Sequence, residues 1–123
     1  MLTKLVNNLV ENTLEVSFAD AGLAGMCRNE RELIRKCGVV RAKKIQQRIK
    51  TLKAAETLAD MRSLPGRCHE LHGDLAGHLS LDLDHPYRLL FRPVGDPGLG
   101  PGSGLDWSAV SAVTIVGIAD THD

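Results

Sequence analysis

Arg67-Cys68-His69-Glu70-Leu71-His72-Gly73-Asp74-Leu75-Ala76-Gly77-His78-Leu79-Ser80-Leu81 is the stretch in which the periodicity of the chain changes. Two short strand-like segments, 68–72 and 78–83, flank a Gly73-Asp74 turn signal with Gly77 close behind. That pattern predicts an antiparallel hairpin. Tyr87-Arg88-Leu89-Leu90-Phe91-Arg92 follows the Asp84-His85-Pro86 break and extends the hairpin to a meander. Val110, Val113, Ile115, Val116 and Ile118 then mark a last strand, apolar enough to lie inside a sheet. Between the last two strands, 93–107 is rich in glycine and proline and is expected to be a flexible loop insertion.

Upstream of this stretch the period is helical. Residues 1–13 are a weakly patterned lead-in, with Leu2, Leu5, Val6 and Leu9 at roughly helical spacing. Glu15-Val16-Ser17-Phe18 alternates like a strand. Asp20 suits an N-cap, Leu23, Met26, Leu33, Ile34 and Cys37 form an apolar stripe, and Gly38 sits where a helix stops. Residues 39–54 repeat the pattern, with Ala42, Ile45, Ile49 and Leu52 inward and Lys43, Lys44, Gln47, Arg48 and Lys50 outward. Ala55 to Met61 allows a short further turn, closed by Leu64-Pro65-Gly66. The expectation is an α+β domain over 14–123, ordered β-α-α-β-β-β-β, with two helices packed on one face of a mainly antiparallel sheet.

Composition narrows the class. The chain has 123 residues, enough for one domain with a modest core, and only 3% are aromatic, so aliphatic packing must dominate. No apolar run approaches the roughly 20 residues that span a bilayer, and the first residues lack a signal-peptide pattern, so a cytoplasmic location without membrane attachment is expected. Cys27, Cys37 and Cys68 are an odd set without framework spacing and are expected as free thiols. Net charge is zero, yet between Cys27 and Lys53 ten Lys/Arg face only Glu30 and Glu32. Such a block suits a polyanion such as RNA or an acidic protein, with Lys43, Lys44 and Arg48 as candidate phosphate contacts. It suits equally a solvated helix face.

All five histidines lie after Arg67, and the chain closes on Asp120-Thr121-His122. RNA is cut without a metal when its own 2′-hydroxyl attacks the adjacent phosphorus. That step needs a base, an acid for the leaving 5′-oxygen, and a cation for the phosphoryl charge. His69, His122 and Arg88 supply those parts, and Asp120 either orients a histidine or acts as the base. The acid and base roles stay unassigned. A purely structural alternative pairs Arg88 with Asp74 or Asp82.

These residues, taken in order, resemble the RelE/ParE toxin superfamily, and within it the HigB-like plasmid-maintenance killer proteins. The resemblance rests on the strand ending at Phe18, Leu58-Ala59-Asp60-Met61-Arg62-Ser63-Leu64-Pro65-Gly66, the His69 to Asp74 strand and turn, Gly77-His78-Leu79-Ser80-Leu81, Tyr87-Arg88-Leu89-Leu90-Phe91 and the closing Asp120-Thr121-His122. It implies a RelE-like fold and the toxin of a type II toxin–antitoxin pair. The implied activity is ribosome-dependent mRNA endonuclease chemistry, with no cofactor, that inhibits translation. The implied partners are a helix-turn-helix, HigA-like antitoxin, the ribosome and mRNA. It also implies catalytic roles for His69, Arg88, Asp120 and His122, with His72 at an often basic position suited to phosphate. Thr121 stands where the family usually has tyrosine, so a stacking phenol is missing from the RNA-binding set.

Two other readings carry their own signatures. A zinc module would use Cys68, His69, His72 and His78, but strand neighbours 68 and 69 point to opposite faces. A ParE-like gyrase poison would share the scaffold without the acid/base residues, and the presence of His69 and His122 favours the nuclease. His78 and His85 read as ordinary strand or surface residues.

Overall fold

Two capping side chains and one glycine divide the helical layer. In the computed structural model, which describes residues 13–100, 102 and 104–120, Asp20 accepts from the Leu23 N–H at 2.8 Å and starts α1 (Ala21–Arg28). Asn29 accepts from the Glu32 N–H at 3.1 Å and starts α2 (Glu30–Cys37). Gly38, at φ +84, ends α2 and opens α3 (Val39–Ala54). Two helices were expected, and the described residues form three. The apolar stripe runs through Asn29 without a break, but the asparagine's short carboxamide caps a new helix in place of continuing the old one.

α3 buries Ala42, Ile45, Ile49 and Leu52, the i, i+3, i+7, i+10 positions of one face. A short 3₁₀ segment, Leu58–Ser63, buries Leu58 and Met61 and leads into the Pro65–Gly66 turn. The strands are β1 (Glu15–Phe18), β2 (His69–Glu70), β3 (Leu79–Asp82), β4 (Tyr87–Pro93) and β5 (Ala112–Asp120). They form one sheet in the order β1-β5-β4-β3-β2. Among the described residues only β1 and β5 pair in parallel. β2 is two residues long, shorter than the expected 68–72, because Gly73–Leu75 turns into a 3₁₀ segment and leaves Leu71 a single further bond to the His78 carbonyl.

The core lies between this sheet and the helices. Leu33, Ile45, Leu52, Leu58, Leu79, Leu81, Leu89, Phe91, Val113 and Ile115 are all 0% exposed, so aliphatic packing does dominate. Each such side chain contributes on the order of 1.5–3 kcal/mol of burial free energy. β5 carries a bulge at Val116, where Leu90 pairs with Gly117 but Phe91 pairs with Ile115. The loop before β5 is more ordered than a plain insertion. It contains a Leu99–Leu105 bridge and a 3₁₀ turn, Trp107–Ala109, whose Trp107 joins the core. No helix among the described residues is long and apolar enough to cross a membrane. The lead-in, apart from Thr13, lies outside the described residues.

Candidate active site

Strand register decides which of the predicted residues meet. Leu79 and Leu81 on β3, with Leu89 and Phe91 on β4, point into the helical core, so Ser80, Asp82, Arg88 and Leu90 point the other way. His69 pairs with Ser80, and Asp82 with Arg88, which puts His69, Ser80, Asp82 and Arg88 on that same face. Arg88 Nη1 lies 3.5 Å from His69 Nε2. Asp120 belongs to the opposite row, since it pairs with Tyr87 while Arg88 pairs with Ala119. Thr121 and His122 lie outside the described residues.

The imidazole of His69 is oriented by its own turn. Its Nδ1 is 2.8 Å from the Arg67 carbonyl oxygen. A carbonyl only accepts, so Nδ1 carries the proton and the neutral ring keeps its lone pair on Nε2, the atom facing Arg88. Arg67 holds that carbonyl in place from a left-handed backbone, φ +49. This conformation is uncommon for any residue that carries a Cβ, and it is sustained by its surroundings. Next to it, Gly66 at φ +115 passes so close to the sheet that a Cβ there would meet Leu81 Cδ2 at 2.9 Å and Arg48 Nε at 3.0 Å.

Asp82 ties this turn to the sheet. Its N–H donates to the Gly66 carbonyl at 2.7 Å, and its own carbonyl accepts from Arg48 Nε at 2.8 Å. Its carboxylate takes Arg67 in a two-pronged pair at 2.9 and 3.3 Å, and Arg88 Nε approaches at 3.5 Å. The Arg88–Asp82 partnership of the structural alternative is therefore present, but Arg88 is its looser member. Arg48, expected to face RNA, is instead part of the framework. Lys43 is exposed and Lys44 half-buried on the same helix. Arg41 pairs with Asp84 at 3.0 and 3.1 Å and lies 3.5 Å over the Tyr87 ring.

His69 and the exposed His72 also line a groove of about 720 Å³ along the β2 edge, walled by Arg62, Leu99, Leu105 and Trp107. Glu70 holds the far wall, accepting from the Leu105 N–H and from Trp107 Nε1, each at 3.1 Å. Arg62 stacks 3.9 Å above the Trp107 ring. Burial pushes the Cys68 thiol up to about 12, against a smaller opposing pull from Arg62. Among the described residues no group of three His, Cys, Asp or Glu side chains is placed to hold a metal ion.

The sequence reading missed Arg67 and Glu70. A main-chain carbonyl aimed at a ring two residues on has no signature in residue types, and neither has a carboxylate that clamps a distant loop. The Asp82–Arg88 pairing was one of the two that the sequence offered, and the hairpin register brings it about.

Comparison of the sequence with family models and with curated proteins gives no match. Comparison of the structure does. A YoeB/ParE toxin from Agrobacterium tumefaciens superposes with a TM-score of 0.55 at 14% identity, covering 89% of this chain and 100% of that one. The chain has the fold of the YoeB/ParE toxins. The YoeB dimer from Staphylococcus aureus gives a TM-score of 0.51 at 17% identity, and the YoeB–YefM complex from the same organism 0.52 at 14%. Each covers 89% of this chain and 98% of its own. These neighbours support the superfamily's fold and not its HigB-like branch.

Proposed function

We propose that this chain is the toxin of a type II toxin–antitoxin pair and that it cleaves mRNA on the ribosome. The observation that carries the reading is the meeting of His69 Nε2, its lone pair directed at Arg88, and the Arg88 guanidinium at 3.5 Å on the sheet face away from the helices. A phosphodiester seated there has a base within reach of its 2′-hydroxyl and a cation for its developing charge. His122 remains the candidate acid, and Asp120, the last residue of β5 although in the row opposite Arg88, the candidate orienting or basic group. Lys43 and Lys44 supply ribosomal RNA contacts, and His72 a phosphate contact in the groove. Thr121 leaves the site without the family's phenol. The fold shared with a toxin solved in complex, YoeB–YefM, supports an antitoxin as partner, and a helix-turn-helix, HigA-like protein is the form proposed.

Pulse labelling after induction without an antitoxin tests this. Protein synthesis stops within minutes if the reading holds. Continued protein synthesis with arrested DNA replication would overturn it in favour of gyrase poisoning.

A further inference from the structure

We propose that Arg67 is a positioning residue for both halves of the site: its main chain sets the His69 tautomer, and its side chain occupies Asp82 so that Arg88 stays available to a phosphate. The inference rests on the reading of Arg88 as the phosphate's cation.

The geometry is asymmetric. Two arginines compete for one carboxylate, and the strand register gives Arg88 the advantage, because it lies directly opposite Asp82. Yet Arg67, arriving from a turn, makes the short contacts, 2.9 Å through Nε and 3.3 Å through Nη2, while Arg88 stands off at 3.5 Å. The carboxylate keeps free lone pairs after this two-pronged bond, but Arg67 holds it in the short geometry and leaves Arg88 the long contact. Arg88 is consequently held in place by the sheet, only 20% exposed, with two long contacts, 3.5 Å to Asp82 and 3.5 Å to His69 Nε2, in place of a short ion pair. The turn that delivers Arg67 is built for that purpose. Gly66 lets the backbone press against Leu81 and Arg48, and the Asp82 N–H locks the Gly66 carbonyl. The resulting left-handed Arg67 then directs its carbonyl at His69 Nδ1. One residue thus fixes where the base has its lone pair and how much of the cation remains free.

Arg67→Ala separates the two halves, since the carbonyl survives and the guanidinium does not. Asp82 then turns to Arg88. Binding of a short single-stranded oligonucleotide with 2′-deoxy substitution, which cannot be cleaved, is expected to weaken by about two- to five-fold, the range of an exposed ion pair. The further change Asp82→Asn removes the competing charge but none of the main-chain bonds, and binding is expected to recover in the double variant. Equal weakness in Arg67→Ala and in the double variant overturns the proposal. In the absence of RNA, the ¹⁵N resonance of Arg88 Nε is expected to move in Arg67→Ala as the Asp82 contact shortens, and an unmoved resonance overturns the proposal whatever the second variant does. A resonance that moves in a protein that binds no oligonucleotide upholds the competition for Asp82 and defeats the phosphate reading instead.

Discussion

His69 Nδ1 donates to the Arg67 carbonyl oxygen at 2.8 Å. This bond, made within a three-residue segment, turns an ordinary edge-strand histidine into one with a defined lone pair. Replacing His69 by Ala removes the candidate base and leaves core volume untouched, because the ring lies on the face away from the helices. Arg88→Ala removes the cation while Asp82 keeps Arg67 as its partner. Each variant is expected to stay folded by circular dichroism and to lose on the order of 100- to 10,000-fold in cleavage of ribosome-bound message. Cleavage at the wild-type rate by folded His69→Ala would remove that residue from the mechanism.

Lys43 and Lys44 differ from Arg48 in what their loss does. The double reversal Lys43→Glu, Lys44→Glu is expected to weaken ribosome association, and the wild-type affinity to fall steeply with added salt as phosphate contacts release counterions. Arg48→Ala is expected to act on stability instead. Its guanidinium donates to the Asp82 carbonyl at 2.8 Å, and loss of a charged donor to a half-buried acceptor costs about 1.5–3 kcal/mol. Sedimentation with ribosomes over a salt series and thermal unfolding separate the two effects. Salt-independent ribosome binding would show that the lysines do not meet phosphate.

The fold was largely legible because its signals are local. The Phe18 strand, the Asp20 cap, the Gly38 stop and the Leu/Ile positions of residues 39–54 each state their structure within a few residues. The break at Asn29 was hidden, since asparagine is tolerated inside a helix and caps one equally well. The site was legible only in part. His69 and Arg88 are recognisable by type, and their meeting follows from two hairpin registers. The roles of Arg67 and Glu70 depend on a backbone angle and a long-range contact, which residue patterns do not encode. Asp120 shows the hazard of a one-residue step on a strand, because it places the carboxylate in the row opposite to that of Arg88.

Asp84 makes stability depend on pH. The hydrogen bond from Arg41 holds its carboxyl below the usual carboxylate range. A depressed folded value contributes stability that is present above about pH 4 and lost as the pH falls through it. Asp84→Asn is therefore expected to lower stability at pH 7 by about 0.5–1 kcal/mol, discounted for side chains that are 27% and 22% exposed. The gap to the wild type should narrow in acid, as the wild-type carboxyl takes up a proton. Urea unfolding at pH 7 and pH 2.5 checks this, and a gap that persists unchanged at pH 2.5 contradicts it.

Glu70 is expected to control the wall of the β2 groove. Both of its oxygens accept from N–H donors, Leu105 and Trp107, and Gly104 lies so close that a Cβ there would sit 2.7 Å from Oε2. Glutamine has the same shape but only one oxygen, so in Glu70→Gln its NH₂ must confront one of the two donors that the carboxylate now satisfies. Leaving a buried donor unpaired costs about 1–3 kcal/mol, enough to displace the loop. Trp107 is the chain's only tryptophan and is 4% exposed, so its fluorescence reports the displacement directly. The expected outcome is a red-shifted emission together with altered cleavage, because the wall that Leu105 and Trp107 present to His69 and His72 has moved. Emission identical to the wild type would show that the loop is held by the Arg62–Trp107 stack and core packing, and not by the carboxylate.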